Sequence, residues 1–386
     1  MSNLVFWLSL ATLIYVYAGF FLLVVIVGQI RQRRVRQQPI TPKISLIIAA
    51  YNEEEGIAER LDNALALDYP RDALEIIVAS DGSDDATETI VAAYADRGVR
   101  LLSLPRQGKI RALNDAVAQA TGEILVFSDA NSIYDPQALR HLARNFADPE
   151  VGGVGGNTVY GQHSDSDSSS RGEDLYWTYD KWLKKMESQT GSIISAHGAI
   201  YAIRRKLYQP LTDTAVTDDF AISTAVIEQG YRLVFESEAR AYEYIIPAAE
   251  REFQRKVRLM TRGLRGVLLR KALLNPFRYG FYSLVLFTHK LLRRMVPLFL
   301  AIFFVSSIML SSNGRFYLAV ATGQIVFYFL AACGYVLRHQ RLGRLRMLYI
   351  PFFYCLANTA AFMALMNVLR GRQISRWQPQ RHTVVG

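Results

Sequence analysis

Cysteine is nearly absent from this chain: Cys333 and Cys355 are the only two in 386 residues, and both fall inside long apolar runs. That argues against a disulfide framework or a cysteine-based zinc site and leaves ordinary packing. Two nucleotide-binding fingerprints are missing as well. No GxGxxG or GxxxxGKS/T follows any strand-like run, which removes support for a dinucleotide fold or a P-loop. Acids are missing from the four longest apolar runs, where an ion-coupled transporter would keep a few. The net charge of +10 does not call for nucleic acid, because much of the excess flanks apolar runs, where anionic lipid is the nearer partner.

What the chain has in abundance is apolar sequence, 51% of its residues. Residues 4–28 form an uncharged run long enough to cross a hydrocarbon core of about 30 Å. The run is too long for a signal-peptide core and reads as a retained anchor. The basic cluster RQRRVR at 31–36 then faces the cytoplasm, with the N-terminus outside. Three more apolar runs follow at about 295–311, 316–337 and 347–369. The basic loop RHQRLGRLR between the last two reads as cytoplasmic. Three crossings would put the basic tail RGRQISRWQPQR outside, against the charge rule. Either one segment is re-entrant, as Pro351 and Asn358 hint, or the charge rule fails at this end.

Between residues 42 and 245 the pattern changes to short apolar runs alternating with helical spacing. KISLIIAA, LEIIVAS, VRLLSL and EILVFSDA read as strands, with EEEGIAERLDNALAL, DATETIVAAYAD and KIRALNDAVAQA as helices between them. This alternation predicts a doubly wound α/β sheet, whose ligands bind beyond the carboxyl ends of the strands. The polar clusters AYNEEE, SDGSDD and SDAN fall there. HSDSDSSSRGED at 163–174 reads as a surface loop, either a lid or a plain connection.

Several residues carry candidate chemistry. Asp81 sits in a DGSDD turn, where an acid also serves backbone geometry. Asp129 and Asn131 are two apart; on an extended chain their side chains share one side and offer oxygens to Mg2+ or Mn2+, with substrate phosphates completing the shell. In TDDF, Asp218 and Asp219 either stabilise a helix N-terminus or supply a general base. Residues 251–271 place Phe253, Val257, Met260, Leu264, Val267 and Leu268 on a broad apolar face of a basic amphipathic helix, the pattern of an interfacial helix. Lys109 is a further phosphate candidate.

The ordered set ISLIIAAYNEEEGI, VASDGSDDAT, GKIRALNDAV, FSDAN, SAHGAIYAIRR, TDDF and EFQRKVR, followed by apolar spans and SRWQP, resembles the membrane-embedded family-two glycosyltransferases, relatives of cellulose, chitin and hyaluronan synthases. The resemblance covers about residues 42–380. It implies a GT-A fold and a UDP-sugar donor. On that likeness Ala49, Tyr51, Glu53 and Asp81 line the nucleoside pocket and Lys109 faces UDP. Asp129 takes the first position of the family's DxD motif, with Asn131 in place of the second acid. Glu187, His197, Gly198, Ala199 and Trp377 belong on the acceptor side. Asp219 is the base, with Asp218 beside it, and attack by the acceptor hydroxyl inverts the donor's configuration. Gln254, Arg255 and Arg258 stand where the family has Q/RxxRW, here without its Trp.

The resulting organisation is a transmembrane helix at 1–30, a GT-A domain at 42–245, amphipathic interface helices at 246–290, transmembrane helices at 291–370 and a basic tail at 371–386. The expected protein is a multi-pass inner-membrane enzyme with a cytoplasmic active site. It adds sugars to a growing polysaccharide, with export or accessory subunits as compatible partners. A lipid acceptor (polyprenyl phosphate or a ceramide-like lipid) and a non-catalytic membrane binding or transport protein are the alternatives. The sequence does not select the sugar, the linkage or the oligomeric state.

Overall fold

The computed structural model describes residues 2–161, 170–213, 215–244, 249–338 and 340–372. They divide into two compact units, one built from Val24–Pro247 and Leu268–Ser283, the other from Met1–Leu23, Ala248–Val267 and Leu284–Ile374.

The first unit is an α/β domain on an eight-stranded sheet ordered β3-β2-β1-β4-β7-β6-β8-β5. Its strands are β1 (Ile44–Ala50), β2 (Leu74–Asp81), β3 (Val99–Leu104), β4 (Ile124–Asp129), β5 (Ile133–Tyr134), β6 (Val151–Gly161), β7 (Tyr201–Arg204) and β8 (Arg232–Tyr244). The four strands read from sequence are β1 to β4, and they pair in parallel as β3-β2-β1-β4. β7 then runs antiparallel to β4, making the sheet mixed. All seven residues of β1 are buried, the unbroken apolar pattern of a strand covered on both faces. Ile44, Leu46 and Ile48 join one core layer with Leu61 and Leu142, while Ile47 and Ala49 join the opposite layer with Leu113 and Val226. Alternation along the strand assigns the layers. Truncating Ile48, which has no exposed surface, would cost about 2–5 kcal/mol.

The connectivity fixes where a ligand can sit. From β1 the chain winds outward through β2 to β3, then returns to the other side of β1 as β4. The crossovers therefore diverge between β1 and β4, leaving a crevice at their carboxyl ends. Asp129 pairs with Ala49 across that point.

The Ser/Asp segment is only partly the loop expected. Residues 170–174 open the helix Ser170–Thr190; residues 163–169 lie outside the described residues.

The second unit is helical. Among the described residues, four helices are long and apolar enough to cross a membrane, Ser2–Arg31, Phe281–Asn313, Arg315–Val336 and Arg346–Leu369. The last runs unbroken through Pro351 and Asn358 for 24 residues, about 36 Å at 1.5 Å per residue, so the break that a re-entrant segment needs is not there. Aromatic contacts tie this unit together: Phe6 lies 5.0 Å from both Phe303 and Tyr317, and Tyr17 hydrogen-bonds Tyr354 at 2.9 Å. The helix Ala249–Leu269 buries Val257, Thr261, Leu264 and Val267 along one stripe, the spacing of an amphipathic face.

Candidate active site

Three strand ends and two helix starts build the site. After β1 the chain turns through Asn52, whose φ of +53° is one that Asn tolerates better than most residues. The turn is laced to the loop after β2: Asn52 N–H donates to Ser83 Oγ (3.1 Å) and Glu53 N–H to Thr87 Oγ1 (2.8 Å). Gly82 is required there, since its φ is +65° and a Cβ would come 2.7 Å from the Arg106 nitrogen.

At the end of β2, Asp81 is 1% exposed. Its carboxylate accepts the N–H groups of Gln107 and Gly108, each at 2.8 Å, and pairs with Arg106. The Arg106 guanidinium lies 3.3 Å from the centre of the Tyr51 ring. Asp81, Tyr51 and the loop before Lys109 thus form one assembly around a carboxylate engaged by three donors.

At the end of β4, Asp129 meets Lys109, the first residue of the helix Lys109–Gln119. The ammonium lies 2.5 Å from Asp129 Oδ1 and 2.9 Å from Asp218 Oδ2. Burial opposes the charge on Lys109, but the two carboxylates outweigh it and hold the group above its ordinary range. Asp218 opens the helix Asp218–Glu228 behind Thr217. Asp219 follows it and accepts the Phe220 N–H at 2.6 Å. Buried Tyr201 feels the charges of Asp218, Asp219 and Asp129 together, so the three acids share one neighbourhood.

Asn131 does not follow the expected geometry. The strand ends at Asp129, and the next residues form a turn in which the Ser132 N–H reaches Asp129 O at 3.4 Å. Strand alternation therefore does not align the two side chains.

His197, Gly198 and Ala199 lead into β7 and press against this centre. A Cβ on Gly198 would sit 3.0 Å from Asp129 Oδ2, so glycine is what lets the loop approach the carboxylate. His197 Nδ1 accepts the Ala199 N–H at 3.3 Å. The ring proton thus belongs on Nε2, 3.1 Å from Tyr160 OH. Burial lowers the His197 pKa, keeping the ring neutral. Glu187 is buried and accepts the Ile194 N–H at 3.2 Å, anchoring the segment that leads into the loop.

Two functional neighbours escape a reading of the sequence. Glu243, on β8, accepts from Ser132 Oγ at 2.8 Å; burial, then the charge of Asp129, raise its pKa. An acid inside the apolar run AYEYII was its only signal. Arg60 is fully buried beneath the end of β4, with its guanidinium 4.4 Å from the Tyr134 ring and hydrogen bonds to Asn63 (3.0 Å) and Ser128 (3.2 Å). Tyr134 OH in turn donates to the carbonyls of Phe127 (3.2 Å) and Ala199 (3.1 Å), so this stack joins β4 to the glycine loop. At helical spacing among apolar neighbours, Arg60 looks like a solvated residue.

The electrostatics favour a cation. Glu53 is pushed up to about 7, first by burial, then by Asp129, Asp85 and Glu55, with Lys109 opposing. Among the described residues, no three His, Cys, Asp or Glu are grouped to hold a metal ion. The donor set therefore fits a hard cation held by the Asp129 carboxylate and completed by substrate oxygens, not one enclosed by protein. Gln254, Arg255 and Arg258 lie on the helix Ala249–Leu269 of the other unit. There burial and the charges of Arg262 and Arg255 lower the Arg258 pKa. Trp377 lies outside the described residues.

Comparison with known proteins accords with this arrangement. Residues 45–212 match the family model Glycosyl transferase family 2. The poly-beta-1,6-N-acetyl-D-glucosamine synthase of Staphylococcus aureus (strain COL) is 27% identical over 234 residues, 59% of this chain and 56% of that protein. The Staphylococcus epidermidis synthase of the same name is 24% identical over 293 residues, 74% of this chain and 70% of that one. The chain thus spans a little over half the length of the Staphylococcus aureus relatives. Among solved structures, the mannosyltransferase PcManGT from Pyrobaculum calidifontis, in complex with GDP-Man and Mn2+, shares the fold with a TM-score of 0.70 at 22% identity, over 96% of this chain and 100% of that one. With its mixed α/β sheet, the match of residues 45–212 to that family model and the synthase relatives, this chain is similar to glycosyl transferase family 2 through its α/β domain.

Proposed function

We propose that the protein is a membrane-bound, metal-dependent inverting glycosyltransferase that moves a sugar from a UDP-sugar onto a growing polysaccharide. The observation that carries this reading is the Lys109 bridge between Asp129 and Asp218, which joins the end of a core strand to a helix start carrying a second acid. Asp129 would hold Mg2+ or Mn2+; when bound, the cation neutralises the donor diphosphate. Lys109 adds positive charge beside the leaving group. Asp218 is committed to Lys109, and Asp219 is the base. The acceptor hydroxyl oxygen attacks the anomeric carbon as its proton passes to Asp219, and the bond from that carbon to UDP breaks with the electron pair leaving on the phosphate oxygen. Attack on the face opposite UDP inverts the centre. Tyr51 and Asp81 position the nucleoside, and the His197–Ala199 loop faces the acceptor.

The synthase relatives support the choice of a polysaccharide product. If each of the four apolar helices is a crossing, the loop between the last two shares a side with the α/β domain. Both that loop and residues 31–36 are basic, which supports a cytoplasmic active site. Purified protein is incubated with a panel of UDP-sugars and a GDP-sugar, with Mg2+, Mn2+ or EDTA, and nucleotide release and product size are measured. Release from one UDP-sugar, abolished by EDTA and reduced about 10²–10⁴-fold in Asp219→Asn, is expected. Undiminished turnover in Asp219→Asn would remove the proposed base.

A further inference from the structure

We infer that the α/β unit carries a second site, a cationic cavity that takes the phosphate headgroup of an anionic phospholipid. The cavity, of about 390 Å³, lies past the far end of the helix Asp218–Glu228 from the acids of the active site, and its lining includes Arg31, Arg33, Ser192, Tyr231, Arg278 and Phe281. Its volume falls in the range of about 300–1,000 Å³ usual for small-ligand sites.

The charges there do not balance internally. Four arginines (Arg31, Arg33, Arg232, Arg278) line the cavity against one acid, Glu228. Glu228 is taken by Arg270 at 2.7 Å, and Arg33 is taken by Glu150 at 2.8 Å. Arg232 is buried and spends its guanidinium on backbone carbonyls, including Gly191 (2.9 Å) and Arg33 (2.8 Å). The carbonyls at the helix end are also spent: Val226, Ile227 and Glu228 accept from Tyr231 N (3.2 Å), Gly230 N (2.9 Å) and Tyr279 OH (3.2 Å). Among the described residues no carboxylate lies within ion-pair distance of Arg31 or Arg278. What remains is a surplus of guanidinium donors, whose flat fork suits phosphate oxygens.

Two features favour a lipid over a soluble phosphate. Arg31 closes the first apolar helix and Phe281 opens the second, so the cavity flanks the points where the chain passes from water into its two apolar spans, the depth of headgroups. Beside each uncommitted arginine stands a bare apolar side chain: Ile30 is 76% exposed and Phe277 is 99% exposed. In water both are unfavourable, and among acyl chains both become anchors.

Binding of short-chain phosphatidylglycerol, short-chain phosphatidylcholine and inorganic phosphate to the full chain in detergent tests this. Saturable binding of phosphatidylglycerol is expected, weakened about tenfold or more in Arg31→Gln/Arg278→Gln, with phosphatidylcholine and inorganic phosphate far weaker. The variant Arg370→Gln/Arg372→Gln removes equal charge from exposed positions after the last apolar helix and should change affinity less than about twofold. Equal losses in the two double variants would reduce the site to general surface charge, and equal affinity for the two lipids would remove the anion. Inorganic phosphate binding as tightly as phosphatidylglycerol would overturn the lipid assignment. Should the first double variant fail to fold, Phe277→Ser, changed at a fully exposed position, still decides: weaker lipid binding supports the proposal and unchanged binding overturns it.

Discussion

Two strand ends of one parallel sheet hold carboxylates in opposite ways. Asp81, at the end of β2, is sealed from water and caught by two backbone N–H groups and Arg106. Asp129, two strands away across β1, keeps 31% of its side chain exposed and leans on one ammonium that it shares with Asp218. The first carboxylate is part of the scaffold, its charge matched by fixed dipoles. The second belongs to a neighbourhood with more acids than cations, where bringing in a divalent ion relieves repulsion instead of creating it. On the proposed function, recognition and chemistry would be separated along the sheet, with a rigid carboxylate at one pole and a partly exposed, acid-rich cluster at the other.

Substitutions at the two poles should separate them further. Asp129→Asn should lower turnover about 10²–10³-fold, the scale of a lost charge stabiliser, and flatten the dependence on Mg2+ or Mn2+ concentration while nucleotide affinity without metal is kept; a retained metal dependence would move the cation elsewhere. Lys109→Met leaves Asp129 facing Asp218, a half-broken buried pair that should cost about 2–3 kcal/mol, read as a lower unfolding midpoint and partly restored by added divalent cation. Asp81→Asn should weaken UDP binding about tenfold, the scale of one charged hydrogen bond, with no change in metal requirement. Equal metal sensitivity in Asp81→Asn and Asp129→Asn would dissolve the contrast.

The last expected effect is a pH slope. Glu53 titrates near 4.5 in an unfolded chain and near 7 in the fold. Between those values the folded protein keeps a proton that the unfolded chain has released. Its contribution to stability therefore falls as pH rises through that window and levels off above it. Denaturant midpoints of wild type and Glu53→Gln across pH 4.5–8 should converge at the acid end and separate at the basic end, with wild type the less stable there. A saturating divalent cation should shrink the difference.

The poles themselves were legible in the residues. Apolar runs ending in AYNEEE, SDGSDD and SDAN marked β1, β2 and β4, and the acids after them occupy the crevice that the winding predicts. TDDF marked a helix start, observed at Asp218. The pairing of Asp129 with Asn131 misled, because alternation holds only while a strand continues and this one stops at Asp129. Asp218 was expected beside the base; that it binds Lys109 emerges only when the sheet brings the two helix starts together. Arg60 and Glu243 went unnoticed because a charged residue inside an apolar pattern has no local sign of whether it is buried.

The sequence alone determined the elements. An apolar run of membrane length, a strand covered on both faces and an amphipathic stripe each follow from side chains a few positions apart, and their burial hardly depends on what lies beyond. Tertiary structure decided the partnerships: Lys109 with two acids, Gly198 against Asp129, Arg60 under β4, and the arginines around one cavity. Electrostatic effects depend on distance and on exclusion of water, and both are set by contacts between residues far apart in the chain.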